Sequence, residues 1–240
     1  MKQNRTQFVK RFQLIFIFLL IIAFTGCLPS YHYGYLGTEH AALLNSRDTG
    51  LTNYTGISVS TGGASNKDEK STTLKLRHQF NYTYNWCSFS AHADAYTGYH
   101  TVEAVEEYAG ESYNYYGIAP QISASLFYPF KAGRWGIYGS FGTFWEFGSY
   151  PDWIEKVDND NLLTLEDDEF MGKVCFGGVG ILHEVIYSED KMISFQIGTG
   201  KPGIIHSFTS FHNRKYVISV GVSAIFEGSG SVFINYMRKW

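Results

Sequence analysis

The sequence predicts an all-β protein, an up-and-down antiparallel β-barrel of about ten strands, with eight strands as the alternative. Apolar and polar residues alternate along most of the chain with a period of two, which is the period of a strand and not of a helix. Long connections between these segments alternate with short ones. The composition includes 18% aromatic residues, 25 glycines and only 5 prolines in 240 residues. Such a mixture is typical of strands joined by tight turns.

The last 25 residues show the alternation most clearly. In residues 218–226 the even positions are apolar and the odd positions are mostly small or polar. Residues 227–230, Glu-Gly-Ser-Gly, supply turn chemistry. Residues 231–240 then alternate again, with Val232, Ile234, Tyr236 and Trp240 in phase. This segment is therefore predicted to be a β-hairpin.

Ten alternating segments are found along the chain. They are residues 52–61, 72–80, 86–99, 115–128, 134–149, 170–187, 191–199, 203–211, 215–226 and 231–240. Long polar connections alternate with short ones through the first seven segments, so long loops are expected at one end of the barrel and short turns at the other. An even number of strands brings both ends of the barrel chain to the short-turn end.

Alternation alone leaves open which face points into the barrel. A soluble barrel puts its bulky apolar face inside, whereas a membrane barrel turns this face to the lipid. Aromatic residues crowd the strand ends, as they do in the interfacial girdles of membrane barrels. They are Tyr115, Tyr116, Phe127, Tyr128, Phe130, Trp135, Trp145, Phe147 and Tyr150. Their placement favours the membrane barrel.

The N-terminus has the pattern of an export signal. Four basic residues precede eleven consecutive apolar residues, 14–24, a run too short for a membrane-spanning helix. Phe24-Thr25-Gly26-Cys27 resembles the lipobox of bacterial lipoproteins, although Phe24 stands where leucine is usual. The resemblance implies cleavage before Cys27 and lipidation of its thiol. It divides the chain into a signal peptide (1–26), a lipid-anchored linker (27–50) and a barrel (51–240). An ordinary cleaved signal with an incidental cysteine is the alternative.

The C-terminal strand also resembles a known pattern. Bacterial outer-membrane barrel proteins commonly end in an aromatic residue preceded by apolar residues at every second position. Trp240 and Tyr236 fit this pattern, whereas Arg238 departs from it. The resemblance implies recognition by the barrel-assembly machinery and location in the outer membrane. Membrane lipid is then expected to contact the barrel exterior and to hold the chain through Cys27.

Six polar side chains are predicted to lie inside the barrel. They are Lys75, Arg77, His92, Asp94, Gln121 and Glu146. Small barrels fill their interior with side chains, and a charge there must be paired or hydrated. We interpret the set as a structural network of ion pairs and hydrogen bonds. Contact with a polar ligand or a conducted ion is the functional alternative.

Neither catalysis nor a cofactor is predicted. Outer-membrane lipid hydrolases pair a strand histidine with a serine two residues later, and this chain contains no His-x-Ser; His206 and Ser207 are adjacent and so point to opposite faces. A histidine and a serine from separate strands remain open as a pair. A net charge of −3 gives no basis for nucleic-acid binding.

The acidic segment 150–169 half matches a calcium-binding loop. Asp158, Asp160 and Glu169 have the required spacing, but Leu162 and Leu163 stand where a ligand and the turn glycine belong. A solvated outer loop is therefore favoured over a weak cation site, and no metal is predicted.

The sequence thus predicts a lipid-anchored outer-membrane barrel with a structural, binding or narrow-pore role and no enzymatic activity. One alternative is a periplasm-facing lipoprotein whose soluble barrel binds an apolar ligand, as lipocalins do. A second is a membrane-embedded lipid-modifying enzyme. The strand order also predicts that Cys87 and Cys175 lie at opposite ends of the barrel and stay unpaired.

Overall fold

The computed structural model describes residues 49–64, 70–103, 106–130, 132–159, 175–188, 190–201, 204–225 and 229–240. Its first six strands are Gly50–Ala64 (β1), Lys70–Tyr84 (β2), Cys87–Thr101 (β3), Ser112–Phe130 (β4), Gly133–Thr143 (β5) and Trp145–Phe147 (β6). A 3₁₀ turn, Glu106–Tyr108, precedes β4, and one α-helix, Ser149–Asn159 (α1), follows β6. The last five strands are Cys175–Ser188 (β7), Lys191–Lys201 (β8), Ile204–Asn213 (β9), Tyr216–Ile225 (β10) and Ser229–Lys239 (β11).

The strands close into an antiparallel barrel. Neighbours in sequence pair with each other, and β11 pairs with β1 from Tyr54↔Lys239 to Ala64↔Ser229. The strands β5 and β6 both pair with β4 and are separated only by Phe144, so together they occupy one position in the barrel. The barrel therefore has ten strand positions, which confirms the predicted fold class and strand number.

The two ends of the barrel differ in their connections. At one end, which we call the short-turn end, short connections join β2 to β3, β4 to β5, β7 to β8 and β9 to β10. Gly50 and Trp240 lie at this end, and the Trp240 backbone N–H donates to the Asn53 carbonyl at 3.0 Å. The opposite, long-loop end carries the β3–β4 connection and α1. This is the arrangement predicted from the alternation of loop lengths.

Most buried polar and charged side chains point into the barrel, together with several large apolar ones, whereas the exposed outward side chains of the strands are largely apolar. On β2, Lys75 and Arg77 are fully buried, whereas Leu74 and Leu76 are 44% and 59% exposed. The same alternation continues around the barrel, where outward isoleucine, valine and phenylalanine side chains remain exposed. The faces are therefore inverted relative to those of a soluble barrel.

Six of the nine aromatic residues predicted to form a girdle lie on the outer face of the barrel. Tyr116, Tyr128, Phe130, Trp135, Trp145 and Phe147 are exposed on the outer face. Tyr115, Phe127 and Tyr150 are instead buried, so their assignment to the girdle was wrong. Tyr115 and Phe127 are in phase with the inward Gln121 on β4, and Tyr150 belongs to α1. Position near a strand end does not decide which way a side chain points.

Large inward side chains lie over glycines of nearby strands. A Cβ atom at Gly98 would come within 2.5 Å of the Tyr115 ring, and one at Gly117 within 2.6 Å of the Tyr96 hydroxyl. A Cβ atom at Gly198 would overlap the Tyr138 hydroxyl in the same way. We call these positions glycine seats. At these positions a bulky ring can lie flat along the inner wall of a narrow barrel. Any side chain in place of the glycine would collide with the ring.

The segment that follows β6 is a helix, although it was predicted to be part of a solvated loop. In α1, Tyr150, Trp153, Ile154 and Val157 are buried, at the i, i+3, i+4, i+7 spacing of an amphipathic helix. The opposite face carries exposed acidic residues. Gly148 makes the turn into α1 with φ of +120°, a conformation that favours glycine. Among the described residues, no helix has the length and apolar character needed to cross a membrane.

The buried face of α1 completes an apolar cluster at the long-loop end, which we call the mouth cluster. It comprises Tyr96, Val102, Tyr108, Tyr115, Ala119, Phe144, Tyr150, Trp153, Ile154, Val157 and Phe176. The Trp153 ring stacks on Tyr113 at 5.4 Å and on Tyr150 at 5.9 Å between ring centroids. The polar part of the barrel interior therefore lies between this cluster and the short-turn end.

Candidate functional site: the polar lumen

The structure places the six predicted interior residues on one side of the lumen. Lys75 and Arg77 come from β2, His92 and Asp94 from β3, Gln121 from β4 and Glu146 from β6. The first five are at most 5% exposed, and Glu146 is half-buried near the long-loop end. The pairing register brings Arg77 opposite Asp94 and His92 opposite Gln121. These side chains therefore form neighbouring parts of one polar surface.

Arg77 and Asp94 form a fully buried, bidentate ion pair. Arg77 Nε donates to Asp94 Oδ1 at 2.6 Å, and Arg77 Nη2 donates to Asp94 Oδ2 at 2.7 Å. The parallel hydrogen bonds match the planar fork of the guanidinium to the two carboxylate oxygens. Each charge thereby compensates the other in a place that water does not reach.

A second ion pair, which sequence reasoning missed, lies near the short-turn end. Arg134 Nε donates to the buried Glu184 carboxylate across the β5–β7 pair. The Arg134 guanidinium also lies over the Phe127 ring, 3.9 Å from its centroid. Alternation along β5 and β7 places both residues on the inward face, so the sequence pattern was sufficient to predict that they lie in the lumen.

A tyrosine–histidine hydrogen bond crosses the opposite wall. Tyr138 of β5 extends over two glycines, Gly180 of β7 and the glycine seat Gly198 of β8, and reaches His206 of β9. The Tyr138 hydroxyl and His206 Nε2 are 2.5 Å apart. The two residues are 68 positions apart in the chain, so no local pattern connects them. Only the empty space above two glycines allows the contact.

Several buried amide atoms in the lumen have no protein hydrogen-bond partner. Gln79 Nε2 donates to Asn81 Oδ1 at 2.7 Å, which leaves Gln79 Oε1 and Asn81 Nδ2 without one. Neither amide atom of Asn235 has one either. Buried amides of this kind are normally satisfied by ordered water or by a bound polar molecule. The lumen thus offers both donors and acceptors for such a molecule.

The lumen is closed to solvent along the part of the wall that the structure describes. Lys75, Arg77, Gln79, Asn81 and Glu184 are all 0% exposed. The mouth cluster packs over the long-loop side of these residues. In this conformation these side chains are closed to solvent, and no open channel is present among them.

Two further histidines contact a serine or threonine hydroxyl of a separate strand. Ser194 Oγ and His212 Nε2 are 3.1 Å apart inside the barrel, and Thr55 Oγ1 and His78 Nδ1 are 2.7 Å apart on the outer face. Within the described residues, no carboxylate bonds to His78 or His212, so neither pair has the third group that orients a catalytic histidine. Ser194 is also 0% exposed, which leaves no path for a substrate. His206 and Ser207 lie on opposite faces, as predicted.

No group of three metal-ligating side chains is found in the described part of the chain. Of the three residues considered for calcium, Asp158 lies on α1, whereas Asp160 and Glu169 fall outside the described residues. Cys27 also lies outside them.

Cys87 is a buried, free thiol at the start of β3, at the short-turn end. Cys175 begins β7 at the other end of the barrel, opposite Thr143. The expected separation of the two cysteines is therefore present, and the prediction that Cys87 stays unpaired is confirmed.

Comparison with known proteins adds only distant structural likenesses. No family model and no curated protein sequence matches the chain. An outer membrane channel from Pseudomonas putida is similar over 85% of this chain and 100% of its own, at 8% identity and a TM-score of 0.41. The transport unit of the autotransporter AIDA-I from Escherichia coli is similar over 86% of this chain and 95% of its own, at 11% identity and a TM-score of 0.42. The outer membrane protein OprG from Pseudomonas aeruginosa is similar over 80% of this chain and 96% of its own, at 10% identity and a TM-score of 0.37. Likeness of this degree assigns no function, which we argue instead from the geometry of the barrel.

Proposed function

We propose that this protein is an integral outer-membrane β-barrel with a closed, ion-paired lumen, held in addition by lipid on Cys27, and that its role is non-enzymatic. The observation that carries this proposal is the inverted barrel wall. Leu76 and its outward neighbours are exposed, while Lys75 and Arg77 beside them are buried. A belt of exposed apolar side chains is stable in hydrocarbon and is a strong aggregation hazard in water.

The same observation counts against a soluble barrel that binds an apolar ligand in its core. Such a barrel needs a continuous apolar lining, but here the apolar clusters of the interior share the lumen with two ion pairs and several amides. Aromatic side chains border the outward belt at both ends, as interfacial girdles do. Tyr84, Trp86 and Trp135 lie near the short-turn end, and Tyr116 and Phe147 near the long-loop end.

The lipid anchor is supported by the leader sequence and by the position of Gly50. The barrel begins at the short-turn end, which in outer-membrane barrels faces the periplasm. A lipid on Cys27 then enters the periplasmic leaflet, on the side from which the chain enters the barrel. The anchor would tether a chain that the barrel already holds in the membrane.

Fractionation of the full chain and its Cys27→Ser variant tests the proposal. An integral barrel stays in the outer membrane without its acyl chains, needs detergent for extraction and shows heat-modifiable mobility on gels. Incorporation of an alkyne fatty acid is expected in the native chain and absent in the variant. Release of the folded Cys27→Ser variant into the soluble fraction would contradict an integral barrel. An unlabelled native chain would contradict the anchor alone.

A narrow, gated pore is the second candidate, favoured by the unpartnered amide atoms of Gln79, Asn81 and Asn235. Polar atoms of this kind can line a path for water or a small solute once the mouth cluster opens. Planar-bilayer recording tests this candidate. The native chain is expected to be silent, whereas Trp153→Ala, which removes the central ring of the mouth cluster, is expected to give brief openings. Silence of both proteins would leave the closed barrel as the only proposal.

A further inference from the structure

Outside the lumen, the described side chains at the two ends of the barrel differ in charge. Of those at the short-turn end, five are basic and one, Asp190, is acidic; the basic ones are Lys191, Arg214, Lys215, Arg238 and Lys239. Of those at the long-loop end, two are basic, Lys70 and Lys156, and five are acidic: Glu103, Glu107, Glu111, Asp152 and Glu155. The basic end is concentrated on β8 to β11, which are consecutive neighbours in the barrel.

A surface pocket lies beside this basic rim. It has a volume of about 250 Å³ and is lined mainly by Tyr187, Lys191, Ile193, Phe211, Asn213 and Tyr216. Since one water molecule occupies about 30 Å³ of the liquid, the pocket holds the equivalent of about eight waters. That is room for a polar group of several heavy atoms and the start of a chain.

The pocket is polar at the rim and apolar toward the belt. The register of β8 and β9 pairs Lys191 with Asn213 at the end of the strands and Ile193 with Phe211 two residues deeper. Two residues of a strand span about 7 Å, so a basic layer is followed at once by an apolar one. Tyr187 and Tyr216 flank the layers, and both are exposed on the outer face. A molecule that fits this gradient has an anionic head and an apolar tail.

From this geometry we infer that the rim pocket binds one anionic phospholipid of the adjacent leaflet. The phosphate lies at Lys191, with Arg214 and Lys215 of the next turn adding positive charge. The first carbons of an acyl chain lie against Ile193 and Phe211. The inference rests on the proposed membrane location, and it adds a defined lipid at a defined place on the wall.

Native mass spectrometry of the full chain in detergent tests the inference, with phosphatidylglycerol and phosphatidylcholine added separately. Phosphatidylglycerol is expected to bind as one retained molecule, more tightly than phosphatidylcholine. Lys191→Gln is expected to weaken phosphatidylglycerol binding about fivefold, the usual effect of one basic side chain near anionic lipid. Ile193→Trp, which fills the pocket without changing charge, is expected to weaken it as well.

Lys70→Gln is the matched control, because it removes the same charge at the opposite rim. It is expected to leave phosphatidylglycerol binding unchanged. Equal binding of the two lipids, or equal losses in Lys191→Gln and Lys70→Gln, would overturn the inference while leaving the membrane barrel intact. Heat-modifiable mobility, measured for each variant, shows that it is folded. A native chain that stays soluble without detergent would instead overturn the proposed function.

Discussion

At the scale of single residues, buried charge in the lumen is tolerated because it is paired. Arg77 and Asp94 are both 0% exposed at their side chains and share two hydrogen bonds. Removing one member leaves the other charge buried without its bidentate partner, which typically costs about 3–5 kcal/mol. Replacing both with apolar groups of similar volume removes the problem along with the pair.

We therefore expect Arg77→Met to lower the free energy of unfolding by about 3–5 kcal/mol. The double variant Arg77→Met/Asp94→Leu is expected to recover most of this loss. Urea titration of refolded protein in lipid vesicles, followed by tryptophan fluorescence, measures both. If the double variant is no more stable than the single one, the ion pair is not the reason that Arg77 is needed.

Gly198 shows how much a missing side chain can matter. An alanine there would overlap the Tyr138 hydroxyl and displace it from His206. We expect Gly198→Ala to cost about 1–3 kcal/mol of unfolding free energy, the usual cost of overpacking. Gly139→Ala is the control, since its Cβ would meet no atom closer than 3.9 Å. Adding Tyr138→Phe to Gly198→Ala removes the colliding hydroxyl and should restore part of the loss. No recovery would mean that the cost comes from the other close contacts of the new Cβ, with His206 Nε2 and the Val179 carbonyl oxygen, both at 2.8 Å.

At the scale of elements, α1 is stabilised by its buried face rather than by its length. Eleven residues are too few for a stable isolated helix. Its attachment to the barrel consists of the mouth cluster and of Ser149, whose hydroxyl accepts a hydrogen bond from the Asn114 N–H at 3.0 Å. The whole helix should therefore detach and unfold together when the Trp153 ring is removed.

Trp153→Ala is expected to speed amide exchange across residues 149–159 at least tenfold, while exchange in β2 and β3 stays slow. Losing the ring lowers the free energy of local opening of the helix, by about 3–5 kcal/mol in a packed core, because the ring holds the helix against the barrel. The strand ladders do not depend on this contact, so their opening free energy stays the same. Hydrogen–deuterium exchange read by mass spectrometry resolves the two regions. Glu155→Ala, on the exposed face, is the control. Equal acceleration in α1 and in β2 would show that helix and barrel unfold together.

The elements also show what the sequence could and could not predict. Strand positions and faces follow from alternation, because each residue of a strand points opposite to the one before it. The same rule places Phe127 on the inward face. Its position near a strand end had instead suggested an outward residue of the girdle. The i, i+3, i+4, i+7 spacing of Tyr150, Trp153, Ile154 and Val157 was present in the sequence, but the acidic residues between them favoured a loop. The contact between Tyr138 and His206 depends on two glycines of other strands and was not predictable from local pattern.

At the scale of the whole molecule, the strands are of unequal length. β1 to β4 have 15 to 19 residues, whereas β8 to β11 have 10 or 11. About 9–11 tilted residues suffice to cross a bilayer. The first four strands therefore extend beyond the belt, and the turn at residues 106–108 and α1 pack at their long-loop ends. The strands on one side of the barrel have just the length that a bilayer crossing requires, while those on the other side also build the mouth cluster.

The orientation of the wall leads to a prediction that depends on depth. An arginine on the outer face costs about 2–4 kcal/mol at the middle of a bilayer and about 0–1 kcal/mol at the interface. Leu76 lies near the middle of β2 and is 59% exposed, whereas Tyr84 ends the same strand at the short-turn end and is 47% exposed. Both point outward, so neither substitution disturbs the lumen.

We expect Leu76→Arg to reduce strongly the amount of folded barrel in the outer membrane, and Tyr84→Arg to have little effect on it. Heat-modifiable mobility measures the amount of folded barrel, and urea titration in vesicles measures its stability. In water, exposed arginines at the two positions would be tolerated alike. Equal stability of the two variants would therefore mean that the apolar belt does not face lipid, and the membrane barrel would have to be abandoned.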